Sequence, residues 1–148
     1  MAKSVEIKGG DKLAAYLKEV SRKVNKASTL RAGFLEDATY PDGTSVAMVA
    51  AMQNFGTSKI PPRPFFTIAV AQNSPQWPTD LAKLLNANGF DSEVTLTLMG
   101  FKIVGEIQDS IVAFDSVPLS PKTIAAKGFD KQLVDTGQML RSVGSEVT

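Results

Sequence analysis

The 148-residue sequence contains neither cysteine nor histidine, and these two absences remove much of the chemistry that proteins use. Without cysteine the chain forms no disulfide bond, and without either residue type it has no Cys/His zinc site. Catalysis by a cysteine nucleophile or a histidine base is also excluded. No serine stands in a GxSxG context, and no set of glycines has the spacing of a phosphate-binding loop. We therefore expect a protein that is not an enzyme and has no catalytic residues, no cofactor and no metal site.

Long apolar runs and an excess of charge are lacking as well. The longest apolar run, at 46–52, is far shorter than the roughly 20 residues of a membrane span. The N-terminal stretch MAKSVEIKGGDK contains no apolar signal-peptide core. Sixteen basic and fifteen acidic residues leave a formal net charge of +1, which argues against nucleic-acid binding through bulk charge. We expect no membrane partner, no direct sequence-specific nucleic-acid partner, and a chain that stays in the cytoplasm unless it is built into something larger.

What is present is the composition of an ordinary globular protein, with 43% hydrophobic and 21% charged residues. The length fits a single domain, 1–148. Helical and strand patterns along the chain give four or five helices and three or four short strands. The sequence therefore predicts an α+β fold in which a small, mostly antiparallel sheet is packed by three main helices plus short helical turns.

The first third of the chain predicts a short strand at 5–8, a helix that Asp11 caps, and a second strand at 29–36. Apolar residues recur on this helix at spacings of four, three and four: Leu13, Leu17, Val20 and Val24. Charged residues occupy its other side. This pattern is typical of a surface helix that packs against a core.

The middle of the chain predicts two helices, at 46–54 and 64–72, with a break near 73–74. The first is apolar nearly all round, so it is either central in the fold or covered by a partner subunit. Gly56 follows it at a position where a left-handed residue is favoured, and Pro64 suits the first turn of the second. The stretch 54–66, NFGTSKIPPRPFF, is interpreted as a rigid corner joining these two core helices.

A third major helix follows, with Asp91 or Ser92 as its cap. Its apolar residues follow the helical period over about five turns: Val94, Leu98, Phe101, Val104, Ile107 (or Gln108) and Ile111. Gly100 and Gly105 lie where another backbone can approach closely. Glu106 and Asp109 share one side of this helix and are interpreted as exposed carboxylates. Shorter elements complete the prediction: helical segments at 80–85, 121–127 and 138–141, and a terminal strand at 142–148.

Two blocks of sequence resemble one family. The run AAMQNFGTSKIPPRPFF at 50–66 is similar to the pattern A..NEFGT..IPPRPF of the tail-completion or head–tail joining (neck) proteins of tailed bacteriophages, also called minor tail or virion-morphogenesis proteins. The second block is similar to the C-terminal sequence pattern of the same family. It consists of Pro118-Leu119, Thr123, Lys127 and LVDTGQMLRSV at 133–143. Both blocks occur in the family's order and spacing. The chain departs from the family at Gln53-Asn54, where many members have glutamate, and at Pro75 and Pro78, which interrupt a helix expected to be continuous.

The resemblance implies a structural subunit of the virion, made in the host cytoplasm and located at the tail end or neck. Members of this family are thought to form rings that join the tail tube to the head connector. The implied partners are further copies of the chain, in a ring that is expected to be a hexamer, and the neighbouring neck and tail-tube proteins. A tail-terminator role is the alternative. A less favoured alternative, a phage-encoded nucleic-acid-binding regulator, requires one basic patch made by Lys12, Lys18, Arg22, Lys23 and Lys26.

The resemblance also points to the residues of an interface. The predicted interface set is Asn54, Phe55, Thr57, Ser58, Lys59, Arg63, Asp135 and Thr136. Within it, Arg63 is expected either to contact a carboxylate of its own or a neighbouring chain, or to be a surface arginine at a helix start. Phe65 is expected in the core, and Thr136-Gly137 is expected to cap and turn the last segment.

Overall fold

The structure, a computed structural model, describes residues 8–114 and 137–148. The described elements, in chain order, are α1 (Gly10–Val24), β1 (Leu30–Phe34), α2 (Val46–Phe55), α3 (Phe65–Asn73), α4 (Trp77–Ala87), α5 (Ser92–Ala113), α6 (Gln138–Arg141) and β2 (Val143–Val147). The predicted α+β class is confirmed: helices pack around a small antiparallel sheet. The predicted helix at 121–127 and nearly all of the predicted strand at 5–8 lie outside the described residues.

The sheet joins two segments that are far apart in the sequence. β1 pairs antiparallel with β2 in a register that sets Leu30 opposite Val147 and Phe34 opposite Val143. The pairing continues past the strands, since Thr148 donates its backbone N–H to the Thr29 carbonyl at 3.0 Å. The described residues contain these two strands and one isolated bridge, between Thr39 and Ser45, so the sheet is smaller than predicted there.

The core lies where α5 crosses the sheet and contacts α3 and α4. Its largest fully buried side chains include Phe65, Ile107 and Ile111, which confirms the core position of Phe65. Gly100 allows α5 to lie close to both strands of the sheet. A Cβ at this position would lie 2.6 Å from the Ser145 Oγ in β2 and 3.0 Å from the Leu30 Cδ1 in β1. A Cβ on Gly105 would meet nothing within 4 Å, so of the two predicted close-approach glycines only Gly100 has a neighbour among the described residues.

The apolar series predicted along α5 divides between two opposite faces of that helix. Ile107 and Ile111 are buried, whereas Val94, Leu98 and Phe101 are exposed. The buried face includes residues that the series omitted: Thr95, Met99 and Ile103. Both faces of α5 are apolar, so periodicity alone did not identify the one that meets the sheet.

The corner, 54–66, joins α2 to α3 as predicted, but its glycine has a different conformation from the one expected. Gly56 has φ 76° and ψ 174°, an extended conformation outside the left-handed helical region. A Cβ there would lie 2.9 Å from both the Ile60 carbonyl oxygen and the Pro62 nitrogen. The chain therefore requires glycine at this point for both conformation and space. The predicted break after α3 is present, since α3 ends at Asn73 and α4 begins at Trp77.

Helix α1 differs most from its prediction. Its N-cap is Gly9, with φ 92°, and Asp11 lies inside the first turn. None of its residues is buried, so the predicted packing of its apolar stripe against the core is wrong for the described chain.

Among the described residues, none of the helices combines the length and the apolar character that a membrane span needs.

Candidate assembly surface

The corner is fastened by a side chain of α2 that caps α3. Pro64, at the N-cap position of α3, has no side-chain oxygen to accept from the free N–H groups of the first turn. Asn54 supplies that acceptor: its Oδ1 accepts from the N–H groups of Phe66 at 3.0 Å and Thr67 at 3.1 Å. Its Nδ2 donates to the Thr67 Oγ1 at 2.9 Å. Asn54 is only 3% exposed, so this predicted interface residue serves the corner itself, and its part in an interface stays a prediction.

Arg63 makes a second tie across the corner. Its backbone N–H donates to the Gln53 carbonyl at 2.7 Å, and its Nη1 donates to the Gln53 Oε1 at 3.0 Å. Its Nε is buried and has no hydrogen-bond partner among the described residues. The side-chain partner of Arg63 within the described chain is therefore an amide oxygen. A carboxylate contact from a neighbouring chain stays a prediction.

The tip of the corner is a turn that Thr57 organises. The Thr57 N–H donates to the Ile60 carbonyl at 2.8 Å, and its Oγ1 accepts from the N–H groups of Lys59 at 3.2 Å and Ile60 at 3.1 Å. Ser58 and Lys59 are exposed. The structure thus brings six predicted interface residues together in one corner, whereas Asp135 and Thr136 lie outside the described residues.

Phe55 is the most exposed large apolar residue in the described chain, at 76%. With the exposed residues Met48 and Ala51 it forms the α2 outer face. Beside this face a groove of about 980 Å³ runs between α2 and β1. The β1 edge that faces away from β2 has no strand partner among the described residues.

The exposed apolar side chains of the described residues are concentrated on three helices. Ten large ones are exposed, and all ten lie on α1, α2 or α5: Leu13, Tyr16, Leu17, Val24, Met48, Phe55, Val94, Leu98, Phe101 and Val112. Of these ten, the predicted interface set contained only Phe55. The signal that could have identified the others on α5 was an apolar pattern too wide for one buried face.

Of the two carboxylates predicted on one side of α5, Glu106 belongs to an ionic cluster that joins α4 to α5. Lys102 ion-pairs with Glu106 and lies 3.3 Å from Asp80, and the Trp77 indole N–H donates to Glu106 at 2.8 Å. Glu106 beside it raises the pKa of Lys102. The Glu106 side chain is 14% exposed, so its prediction as a solvated carboxylate is wrong, while Asp109 is exposed as expected. Through these contacts Glu106 links α4 to α5.

The basic residues proposed as a nucleic-acid patch are largely paired with acids. Arg22 and Lys23 lie 2.7 Å and 3.7 Å from Glu19, and Lys26 pairs with Asp91. The described residues contain no group of three or more acidic side chains that could hold a metal ion.

Comparisons of this chain with protein-family models, with curated proteins and with solved structures find no match. The resemblance carried by the two sequence blocks therefore stays a prediction. In the structure, the first block, 50–66, covers the last turns of α2, the corner and the start of α3.

Proposed function

We propose that this protein is a structural subunit of a tailed-phage virion, at the tail end or neck, that oligomerises into a ring joining the tail to the head connector. Its partners in this role are copies of itself, in a hexamer, and the adjoining neck and tail-tube proteins. The two sequence blocks support the family, and the exposed helix faces support the mode of action.

The observation that carries the proposal is the arrangement of exposed apolar side chains in rows. Single exposed apolar residues are normal on protein surfaces, whereas contiguous apolar patches mark interaction sites. Here the exposed residues recur along the faces of α1, α2 and α5. A chain that carries such faces has surface to bury against other subunits.

The corner supports ring assembly in a different way. A head-to-tail ring closes only if every subunit makes the same contact at the same angle. Asn54 caps α3 from α2, and Arg63 bonds to Gln53, so the angle between the two helices is fixed from both sides of the corner. Phe55 and the exposed tip, Ser58 and Lys59, are thereby held in one orientation.

Electron microscopy of particles from a phage that lacks this protein tests the proposal. We expect filled heads and separate tails of normal length, because the joining ring is missing. Tails of uncontrolled length would favour the tail-terminator role, since a terminator stops growth of the tube. Normal tails joined to filled heads would overturn both roles.

Complementation with variants tests the mode of action. Phe55→Ser removes the most exposed apolar side chain of the corner and should lower the yield of joined particles strongly while the subunit stays folded. Lys83→Ser, at an exposed position of α4, is the matched control and should complement fully. Equal complementation by the two variants would exclude the α2 outer face from assembly.

A further inference from the structure

Helix α1 is attached to the rest of the protein at its C-terminal end. The Ser92 Oγ donates to the Lys23 carbonyl at 3.1 Å and accepts from the Ala27 N–H at 2.9 Å. Lys26 completes the attachment through its ion pair with Asp91. From Gly10 to Glu19 every residue is exposed, so α1 has the form of an arm that is fixed at one end.

This arm carries an apolar stripe that the described residues leave largely uncovered. We call it the α1 stripe; its members are Leu13, Tyr16, Leu17, Val20 and Val24. Leu13, Tyr16 and Leu17 are 56–58% exposed. An isolated helix of 15 residues is marginal in water, because most helical stability in proteins comes from packing of the apolar face. The α1 stripe therefore favours contact with another apolar surface.

A second uncovered stripe runs along the face of α5 that points away from the core. We call it the α5 outer stripe; its members are Val94, Leu98, Phe101, Gly105 and Val112. Val94, Leu98 and Phe101 are 44%, 39% and 65% exposed, and the space beside Gly105 is open. From Val94 to Gly105 its spacing is four, three and four, the same as from Leu13 to Val24 on α1. Two helices with this shared repeat can pack side by side with interlocking side chains.

The charges of the two helices are complementary. Helix α1 contains four basic and two acidic residues, a net charge of +2. Helix α5 contains one basic and three acidic residues, a net charge of −2. The same charges disfavour pairing of α1 with another α1 and of α5 with another α5.

The attachment at Ser92 keeps α1 away from the outer stripe of its own α5. Ser92 is 7% exposed and lies on the buried face of α5, opposite Val94 and Phe101. To reach its own α5 outer stripe, α1 would have to pass around α5 and break the hydrogen bonds at Lys23 and Ala27. A second copy of the chain meets no such obstacle.

We propose that the α1 stripe of one subunit docks on the α5 outer stripe of a second copy. The two surfaces differ, so the contact is head-to-tail, and it generates a ring when the rotation between subunits closes. Closure into a ring rests on the proposed function, whereas the docking itself rests on the two stripes. Few side chains take part, fewer than in a standard interface of about 800 Å² per partner. We therefore expect a weak contact between two free subunits, strengthened when several subunits assemble.

The absence of cysteine permits a direct test by cross-linking. A Leu17→Cys chain carrying a size tag is mixed with an untagged Phe101→Cys chain at the highest soluble concentration and treated with a short bis-maleimide. Docked cysteines have a raised effective concentration, so the mixed dimer should exceed that from a matched Ala15→Cys mixture at least about tenfold. Ala15 is an exposed residue of α1 outside the α1 stripe. Circular dichroism checks that each variant is folded.

A double variant, Leu17→Cys with Phe101→Cys, separates docking between copies from docking within one chain. Covalent dimers and longer ladders support exchange between copies. A cross-linked monomer as the main product, dimers of the Leu17→Cys chain alone, or mixed dimer no more abundant than with Ala15→Cys would each overturn the inference.

The virion role and the docking can fail separately. Cross-linking in solution does not depend on any phage. If a mixed dimer formed but the deletion phage gave normal particles, the proposed function would be wrong and the docking would stand. If the deletion phage gave separate heads and tails but no mixed dimer formed in solution, the docking would be wrong and the proposed function would stand.

Discussion

The corner and the arm are both built around a helix and a positive-φ glycine, but they are held in opposite ways. At the corner, Asn54 and Arg63 bond across from α2 to α3, and Gly56 is enclosed by backbone atoms. On the arm, Gly9 has open space around it and no residue of α1 is buried. The corner is thus fixed by contacts within the chain, whereas the apolar side chains of the arm stay largely uncovered by the described residues.

Hydrogen bonds that fix two helices and apolar side chains that stay exposed therefore lie in different parts of this molecule. Amphipathic helices ordinarily bury their apolar face within their own chain. In the described part of the chain, α3 buries Phe65 and Ala69, whereas the strongly amphipathic α1 buries none of its residues. Substitutions at equivalent points of the corner and the arm should therefore have different effects.

Gly56→Ala should have the largest effect. Its φ and ψ lie in a region that is essentially restricted to glycine, and the new Cβ would press on the Ile60 and Pro62 backbone, so we expect a loss of about 2–3 kcal/mol in the free energy of unfolding. Gly9→Ala, in open space, should cost about 1 kcal/mol of α1 helix stability and leave the main unfolding transition in place. Urea denaturation measures the first effect and the helical signal at 222 nm the second. If Gly56→Ala and Gly9→Ala shifted the main unfolding transition equally, the difference between a fixed corner and an open arm would be contradicted.

Asn54→Ala should cost about 2 kcal/mol of unfolding free energy, because it leaves two N–H groups of α3 without their acceptor. Asn54→Asp keeps an acceptor at the start of α3, so it should recover most of the loss at neutral pH. Urea denaturation of the three proteins gives the ranking. If Asn54→Ala matched the parent, the side chain would have no part in holding the corner.

The attachment of the arm should respond to acid with a smaller effect. The ion pair with Lys26, followed by the Val94 N–H, lowers the pKa of Asp91. A carboxyl whose pKa is lower in the folded than in the unfolded protein stabilises the fold above the unfolded value, about 3.9, and this contribution is lost as the pH falls through the folded value. The Ala27 amide resonance, which reports the bond to Ser92, should therefore be constant from pH 7 to about pH 5 and move only below about pH 4.

Asp91→Asn provides the matched variant, since asparagine retains a cap for α5 but has no charge to lose. The Ala27 resonance should then be unchanged by acid. The Thr44 amide is the internal control, because hydrogen bonds from Thr44 lower the pKa of Asp42 and this titration should be the same in both proteins. Acid movement of Ala27 in Asp91→Asn would assign the effect to another group.

Sequence reasoning predicted the elements better than their contacts. The bounds of α2, the break after α3 and the strand at the end of the chain follow from local signals at Gly56, Ser74-Pro75 and Val143, which act over a few residues. The buried face of α5 does not follow from local signals, because Val94 and Ile107 are both apolar. Which of the two faces is buried depends on where β2 packs against Gly100.

The interface set stays a prediction, and for it the structure adds only where each described residue lies. Phe55 and the tip of the corner were identified from the wording of one block. That Asn54 caps α3 depends on a contact across the corner, and that Leu13 stays uncovered depends on where α1 is attached. Neither can be read from spacing along the chain.

The pairing of β1 with β2 has a consequence for how the chain folds. Leu30 meets Val147, so the sheet forms only after a very long loop has closed, and folding dominated by such distant contacts is slow. The pairs α3–α5 and α4–α5 are nearer in sequence and can form first. Until β2 arrives, the inner face of α5 around Met99 and Ile103 lacks part of its cover, and newly made chains are then at their most vulnerable to aggregation.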